Sequence, residues 1–112
     1  MLMRRAKVYM RKYLAGIITE TDSKEYIFRY DDVYFRDNSM PEISLTMTKE
    51  KQEYTSERLF PFFENMLSEG SNRELQMRLF KLDEKDSFGL LLATAKHDTI
   101  GAITIKAIED DE

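Results

Sequence analysis

The chain of 112 residues has a net charge of −4 and contains neither cysteine nor tryptophan. This length predicts one domain over residues 1–112, and the lack of cysteine excludes a disulfide scaffold and a cysteine-ligated metal site. The negative charge argues against a surface that binds nucleic acid, because phosphate binding needs concentrated positive charge. No stretch reaches the ~18 apolar residues that indicate a membrane span. The sequence therefore predicts a cytoplasmic protein that contacts neither membrane nor nucleic acid directly.

The chain begins with a pattern typical of a β-hairpin. Residues 6–19 contain two β-prone runs, and the turn between them is predicted at Arg11 and Lys12. Gly16 interrupts the second run, which indicates a bulge or a close approach of another backbone segment.

Two further strands are predicted in the first half of the chain. Residues 25–30 alternate aromatic and other side chains, which indicates a strand with one aromatic face. Residues 42–48 give the clearest strand pattern, because apolar residues recur there at period two. Residues 31–40 are predicted to be irregular and residues 49–55 to form a loop. The apolar residues at period two are Ile43, Leu45 and Met47.

Charge is concentrated at both ends of the chain. The first predicted strand is basic, which we interpret as an edge strand protected by solvated Lys and Arg side chains. Residues 107–112 form an acidic tail, which we interpret as a frayed terminus. A polar contact of either segment with a partner is the alternative. The basic residues are Arg4, Arg5, Lys7, Arg11 and Lys12.

The second half of the chain predicts helices. Ser56 is a suitable N-cap for a first helix, which should begin within residues 57–60 and end before Gly70. The sequence Ser71-x-x-Glu74 is a capping box, in which each side chain bonds the other residue's backbone N–H, and it should open a second helix. The apolar residues of this second helix are Leu75, Leu79 and Leu82 on one face, with Met77 and Phe80 beside them.

A third helix and a closing strand complete the predicted fold. Asp86 or Ser87 would cap the third helix over about residues 88–96, which is apolar almost all round and should be buried. Residues 101–105 predict a strand that returns to the sheet. The order of elements indicates an α+β domain with an antiparallel or mixed small sheet, about three helices and a core within residues 6–106.

No catalytic or metal-binding motif is recognisable. His97 is the only histidine and is predicted to be an ordinary turn residue, because a metal site or a nucleophilic pair needs partner residues. The glycines are scattered, so they predict no phosphate-binding loop. The acidic clusters fall in predicted loops, where solvated carboxylates are expected. The sequence thus favours a binding module over an enzyme, with no catalytic residues, no metal and no cofactor.

Residues 59–75 carry a pattern that resembles a known family. They begin Leu-Phe-Pro-Phe-Phe-Glu-Asn-Met-Leu-Ser-Glu-Gly, which is similar to the small N-terminal subdomain of HipA-type Ser/Thr kinases, where this helix typically reads Pro-Phe-Phe-Asp-Asn-Leu-Leu-Pro-Glu-Gly. The resemblance covers about residues 6–106, because the opening hairpin, the next strands, the third helix and the closing strand also match.

The resemblance implies a role in a toxin–antitoxin system. A free-standing subdomain of this kind resembles HipS of the three-gene HipB–HipS–HipT systems. This implies an antitoxin that binds and neutralises a HipT- or HipA-type Ser/Thr kinase in trans, with a HipB-type helix-turn-helix protein as a further member of the complex. Two alternatives are a split N-terminal subdomain needed for kinase activity or for docking to HipB, and an unrelated small enzyme or nucleic-acid binder.

The chain departs from the family pattern just after the Glu-Gly pair. Ser71 stands where many family members have Trp, so a mechanism in which that Trp plugs the kinase site is not implied for this chain. We predict that the turn around this position contacts the partner, whereas the preceding aromatic residues belong to the core. The predicted partner-binding residues are Ser68, Glu69, Gly70, Ser71, Asn72 and Arg73.

Overall fold

The computed structural model describes residues 4–65, 67, 70–82, 86–94 and 103–108, with the backbone alone for residues 70–73 and 93–94. Five strands in this part of the chain form one sheet in the order β4-β3-β2-β1-β5. All neighbouring strands are antiparallel. The strands are β1 (Arg4–Met10), β2 (Tyr13–Glu20), β3 (Tyr26–Tyr30), β4 (Glu53–Ser56) and β5 (Ile103–Ile108).

Four helices accompany the sheet within the described ranges. They are α1 (Asp32–Arg36), α2 (Pro61–Glu64), α3 (Gly70–Leu79) and α4 (Ser87–Thr94). The predicted α+β class and the closing strand are confirmed, and the sheet is the antiparallel alternative. The short helix α1 lies in a segment predicted to be irregular. It forms there because the Asp31 carboxylate accepts hydrogen bonds from the backbone N–H groups of Val33 and Tyr34.

The opening hairpin follows the sequence prediction. Arg11 takes a φ of 56° in the turn, and β1 pairs with β2 on either side of it. The register shifts beside Gly16, where Ala15 is an extra residue on β2. Gly16 also lies so close to β3 that a Cβ there would be 2.4 Å from the Arg29 carbonyl oxygen. The glycine therefore marks both a bulge and a close backbone approach.

The predicted strand over residues 42–48 is wrong. Ser44 and Met47 form only an isolated bridge, and Leu45 between them is 91% exposed. The Tyr30 hydroxyl donates to the Met47 carbonyl and accepts from the Ile43 N–H, so one buried side chain satisfies backbone groups that a strand would have paired. Burial also raises the pKa of Tyr30 to about 12. The fourth strand is instead β4, whose first three residues lie in the segment 49–55 that was predicted to be a loop.

The basic strand β1 is not at the edge of the sheet. It lies between β2 and β5, and the described sheet ends at β4 and β5. The interpretation of β1 as an edge strand is therefore wrong. Arg4 of this strand is engaged in ion pairs and is not simply solvated. Strand β5 reaches Ile108 and thus includes the first two residues assigned to the acidic tail. Residues 109–112 and His97 lie outside the described residues.

Two of the three predicted helices begin at residues other than those predicted. Helix α2 begins at Pro61, whose missing N–H costs little at the first helical position, whereas Ser56 belongs to β4 and caps no helix. Helix α3 begins at Gly70, the residue predicted to end the preceding helix. The start of α4 is confirmed, because the Asp86 carboxylate accepts the Gly89 N–H at 3.0 Å.

The core lies between one face of the sheet and helices α2 and α4. Phe28 on the predicted aromatic face of β3 is completely buried, and its ring centre lies 4.9 Å from that of Tyr30 and 6.1 Å from that of Phe63. Helix α4 is buried as predicted, since Phe88, Leu90 and Leu91 have no exposed surface. Other members of the core are Ala6, Val8, Ile18, Met47, Leu59, Phe60, Leu67, Met77, Ile103 and Ile105.

Candidate functional site

The predicted partner-binding residues are divided by the start of α3. Ser68 and Glu69 lie outside the described residues. Gly70, Ser71, Asn72 and Arg73 form the first turn of α3, so this part of the predicted turn is helical. Their side chains are not described, and the predicted contact with a partner stays a prediction. The residues that follow them on α3 are described in full.

Helix α3 exposes apolar side chains. Leu75 is 51% exposed and Leu79 is 68% exposed, whereas Met77 is only 5% exposed. Residues 75 and 79 are four apart and share a helix face, and residue 77 lies about 200° around the helix from residue 75. Met77 therefore faces the domain and the two leucines face away from it, so the prediction that Met77 lies beside the leucine face is wrong. Phe80, directly after the helix, is 45% exposed.

Charged residues border this apolar face. Arg78 and Lys81 are exposed, and neither of them forms an ion pair with any of the described residues. Glu74 is exposed on the same flank. The described charged residues of this border therefore sum to a positive charge, on a chain whose total charge is −4. We call Leu75, Arg78, Leu79, Phe80 and Lys81 the α3 surface.

A second candidate is a polar cluster around Arg4. The Arg4 guanidinium donates to both oxygens of Asp86, at 2.7 and 3.1 Å, and through Nε to Glu20 Oε1 at 2.8 Å. The Tyr26 hydroxyl donates to the other Glu20 oxygen at 2.8 Å. The guanidinium also lies over the Phe88 ring, 5.3 Å from its centre. The cluster joins β1, β2 and β3 to the start of α4.

The electrostatics of the cluster favour the charged forms of Arg4 and Asp86. Hydrogen bonds from Arg4 hold the pKa of Asp86 below its ordinary value, although partial burial opposes this. The same hydrogen bonds raise the pKa of Arg4. Burial, together with the hydrogen bond to Glu20, raises the pKa of the Tyr26 hydroxyl. Both carboxylates already accept hydrogen bonds from Arg4, so the arrangement fits a structural connection better than an acid–base pair.

The cluster borders a cleft of about 550 Å³ at the end of β2 and the start of β3. Its lining mixes four carboxylates with two basic side chains, and two of these carboxylates are already paired with Arg4. Within the described residues, no group of three or more His, Asp or Glu side chains is placed to hold a metal ion. The described helices include none long and apolar enough to span a membrane. The charged lining residues are Glu20, Lys24, Glu57, Arg58, Glu64 and Asp86.

The fold and these surfaces define a small α+β domain, and comparison with known proteins gives its class. Residues 6–106 match the HipA N-terminal domain family, and the chain belongs to that family. The match is to the N-terminal domain, a unit separate from the catalytic part of the kinase. The resemblance inferred from residues 59–75 is thereby confirmed.

Two individual proteins are similar to the chain over nearly its whole length. An uncharacterized protein of Haemophilus influenzae is 29% identical over 105 residues, which cover 94% of this chain and 93% of that protein. The solved structure of the N-terminal domain of HipA toxin is 24% identical, with a TM-score of 0.73, and the match covers 99% of this chain and 98% of that one. At this identity the structural likeness shows the fold.

Sequence reasoning missed both the α3 surface and the Arg4 cluster. A signal for the surface was present, because apolar residues on opposite faces of one helix indicate that a single core contact cannot cover them all. A signal for the cluster was weaker. It was the glycine three residues after Asp86, inside a helix where glycine is otherwise unfavourable.

Proposed function

We propose that this chain binds a HipA- or HipT-type Ser/Thr kinase in trans and neutralises it, as an antitoxin subunit with no catalytic residues of its own. A HipB-type helix-turn-helix protein is the proposed third member of the complex.

The observation that carries the proposal is the extent of the match to the Haemophilus influenzae relative. That match covers 93% of the relative, which therefore consists of little besides this domain and has no room for a kinase domain. A HipA N-terminal domain that is separate from the kinase can act on it only through contact between two chains. Regulation by binding follows from this separation more directly than catalysis does.

The surface chemistry supports binding to a protein. The exposed leucines of α3 follow closely after the predicted contact residues 68–73 in the chain, so one continuous stretch would supply the contact. Interfaces between proteins typically combine an apolar centre with a polar border, and the α3 surface has both.

A second candidate function is favoured by the structural relative. That protein is the N-terminal domain of a toxin, so the same fold occurs there as part of a toxin. In this alternative, the chain is a split subdomain that the kinase needs for activity or for docking to a HipB-type protein.

One reconstitution experiment separates the two functions. The tagged chain is used to capture its kinase from the native host, and the recovered kinase is then assayed for autophosphorylation with increasing amounts of added chain. Neutralisation predicts binding with a Kd of about 1 µM or tighter and a progressive loss of phosphorylation. Co-expression should also relieve growth arrest caused by the kinase.

The alternative predicts the opposite change. Phosphorylation would rise when the chain is added, or growth arrest would require the chain. Capture of no kinase, together with no binding of a purified HipA-type kinase from the same host at micromolar concentration, would refute both functions.

A further inference from the structure

We propose that the α3 surface is the docking site for the kinase partner, and that it enters an apolar groove bordered by carboxylates on that partner. This inference rests on the proposed function, because the occupant is the kinase. It differs from the sequence prediction in location, since it assigns the contact to residues 75–81, in the later part of α3 and directly after it, and not to residues 68–73.

The geometry fits the insertion of a helix into a groove. Such helices present apolar anchors at spacings of three, four and seven residues. Leu75 and Leu79 are four residues apart on one face, and they are among the most exposed large apolar side chains of the described residues. Met77 holds α3 to the domain from the other side, so docking would require no rearrangement of the core.

The occupant is inferred from charge. Arg78 and Lys81 border the leucines without ion-pair partners among the described residues, so a partner with carboxylates at these positions would gain complementary contacts. A second copy of this chain would place two net positive borders against each other, because a two-fold interface brings the same patch together. The α3 surface therefore fits an acidic partner better than it fits a second copy of this chain.

The test measures binding of the purified chain to the host's HipA-type kinase by calorimetry. Leu79→Glu places a charge at the centre of the α3 surface and should weaken the Kd by about 10-fold or more, as expected for an interface anchor. Arg78→Glu should weaken it several-fold and reduce its dependence on salt. Leu45→Glu is the matched control, since Leu45 is exposed in the connection between α1 and β4, and it should change the Kd by less than about 2-fold.

Thermal unfolding verifies that each variant is folded. Because all three side chains are exposed, we expect unchanged midpoints. If the wild-type chain binds the kinase and folded Leu79→Glu binds equally well, the docking site is wrong although the proposed function stands. If the wild-type chain does not bind the kinase, the docking site and the proposed function are both wrong. A dimer that Leu79→Glu dissociates, seen by light scattering, would overturn the kinase as the occupant.

Discussion

Replacing Gly89 with alanine should destabilise the domain, although the same change at an unhindered helix position would stabilise it. Glycine inside a helix is about 1 kcal/mol less favourable than alanine, and Gly89 lies inside α4. Its Cα, however, faces the capping carboxylate. A Cβ at this position would lie 2.3 Å from Asp86 Oδ2 and 2.7 Å from its Cγ. A real Cβ cannot approach so closely, so the Asp86 side chain would have to move.

The cost of that movement follows from the contacts of Asp86. Its two oxygens accept from Arg4 at 2.7 and 3.1 Å, and one also accepts the Gly89 N–H at 3.0 Å. Arg4 is 31% exposed, so solvent screens this ion pair and we assign it about 1.5 kcal/mol, the low end for charged hydrogen bonds. Loss of the cap adds about 1 kcal/mol. After subtracting the gain in helix propensity, Gly89→Ala should lose about 1–2 kcal/mol.

A double-mutant cycle tests this reasoning by urea denaturation. Asp86→Ala should cost about 2–3 kcal/mol, because it removes both the cap and the ion pair. In that background the obstructing carboxylate is absent, so Gly89→Ala should gain about 1 kcal/mol. The two effects of the same alanine thus differ in sign, which implies strong coupling between the two positions. If Gly89→Ala stabilises the wild-type domain, the Asp86 carboxylate does not restrict this position.

Three further predictions concern single positions. Gly16→Ala should lower the free energy of unfolding, measured by urea denaturation, by about 1–3 kcal/mol. The reason is that the new Cβ would meet the backbone oxygen of Arg29 at 2.4 Å and neither strand can move freely. An unchanged urea midpoint would contradict the close approach. Gln76→Met should stabilise the domain by about 1 kcal/mol, because the buried Gln76 Oε1 has no hydrogen-bond partner in the described structure. A loss of stability would show that this oxygen is hydrogen-bonded. The Asp86 pKa is lower in the folded state than its unfolded value of about 3.9, so its contribution is present above that value and is lost as the pH falls through the folded pKa. Urea midpoints of the wild type should therefore fall more between about pH 5 and pH 3 than those of Asp86→Ala. Equal decreases of the midpoint with pH in the two proteins would contradict this.

The sequence predicted elements whose stability is local. The hairpin, the aromatic strand β3 and the capped start of α4 each depend on residues close together in sequence, and all three are present. Period-two alternation over residues 42–48 misled because side-chain periodicity does not show how the backbone groups are hydrogen-bonded, and Leu45 of that pattern is in fact 91% exposed. Ile43 and Met47 are indeed buried, but their backbone groups bond to the Tyr30 hydroxyl from a distant strand. No local pattern contains that partner.

The same limit explains the Arg4 cluster. Asp86 and Arg4 are 82 residues apart in the chain. The sequence alone therefore indicates only that Arg4 is one more basic residue of a solvated strand. The strand order is what brings them together, because β1 lies inside the sheet and its first residue meets the start of α4. A charge pattern can show that a strand is basic, but only the topology decides whether the strand is at an edge.

Helix α3 shows why its exposed face could not be predicted from the sequence. Its sequence has apolar residues on opposite faces, so periodicity could not decide whether the face of Leu75 or that of Met77 meets the core. The structure buries Met77 and leaves Leu75 and Leu79 exposed. Helix α4, in contrast, is held to the sheet by buried leucines and by the Arg4 pair. The domain therefore combines one firmly anchored helix with one helix whose outer face has no partner within the described structure. A protein that acts by binding needs such a division, because a rigid core fixes the position of the surface that the partner contacts.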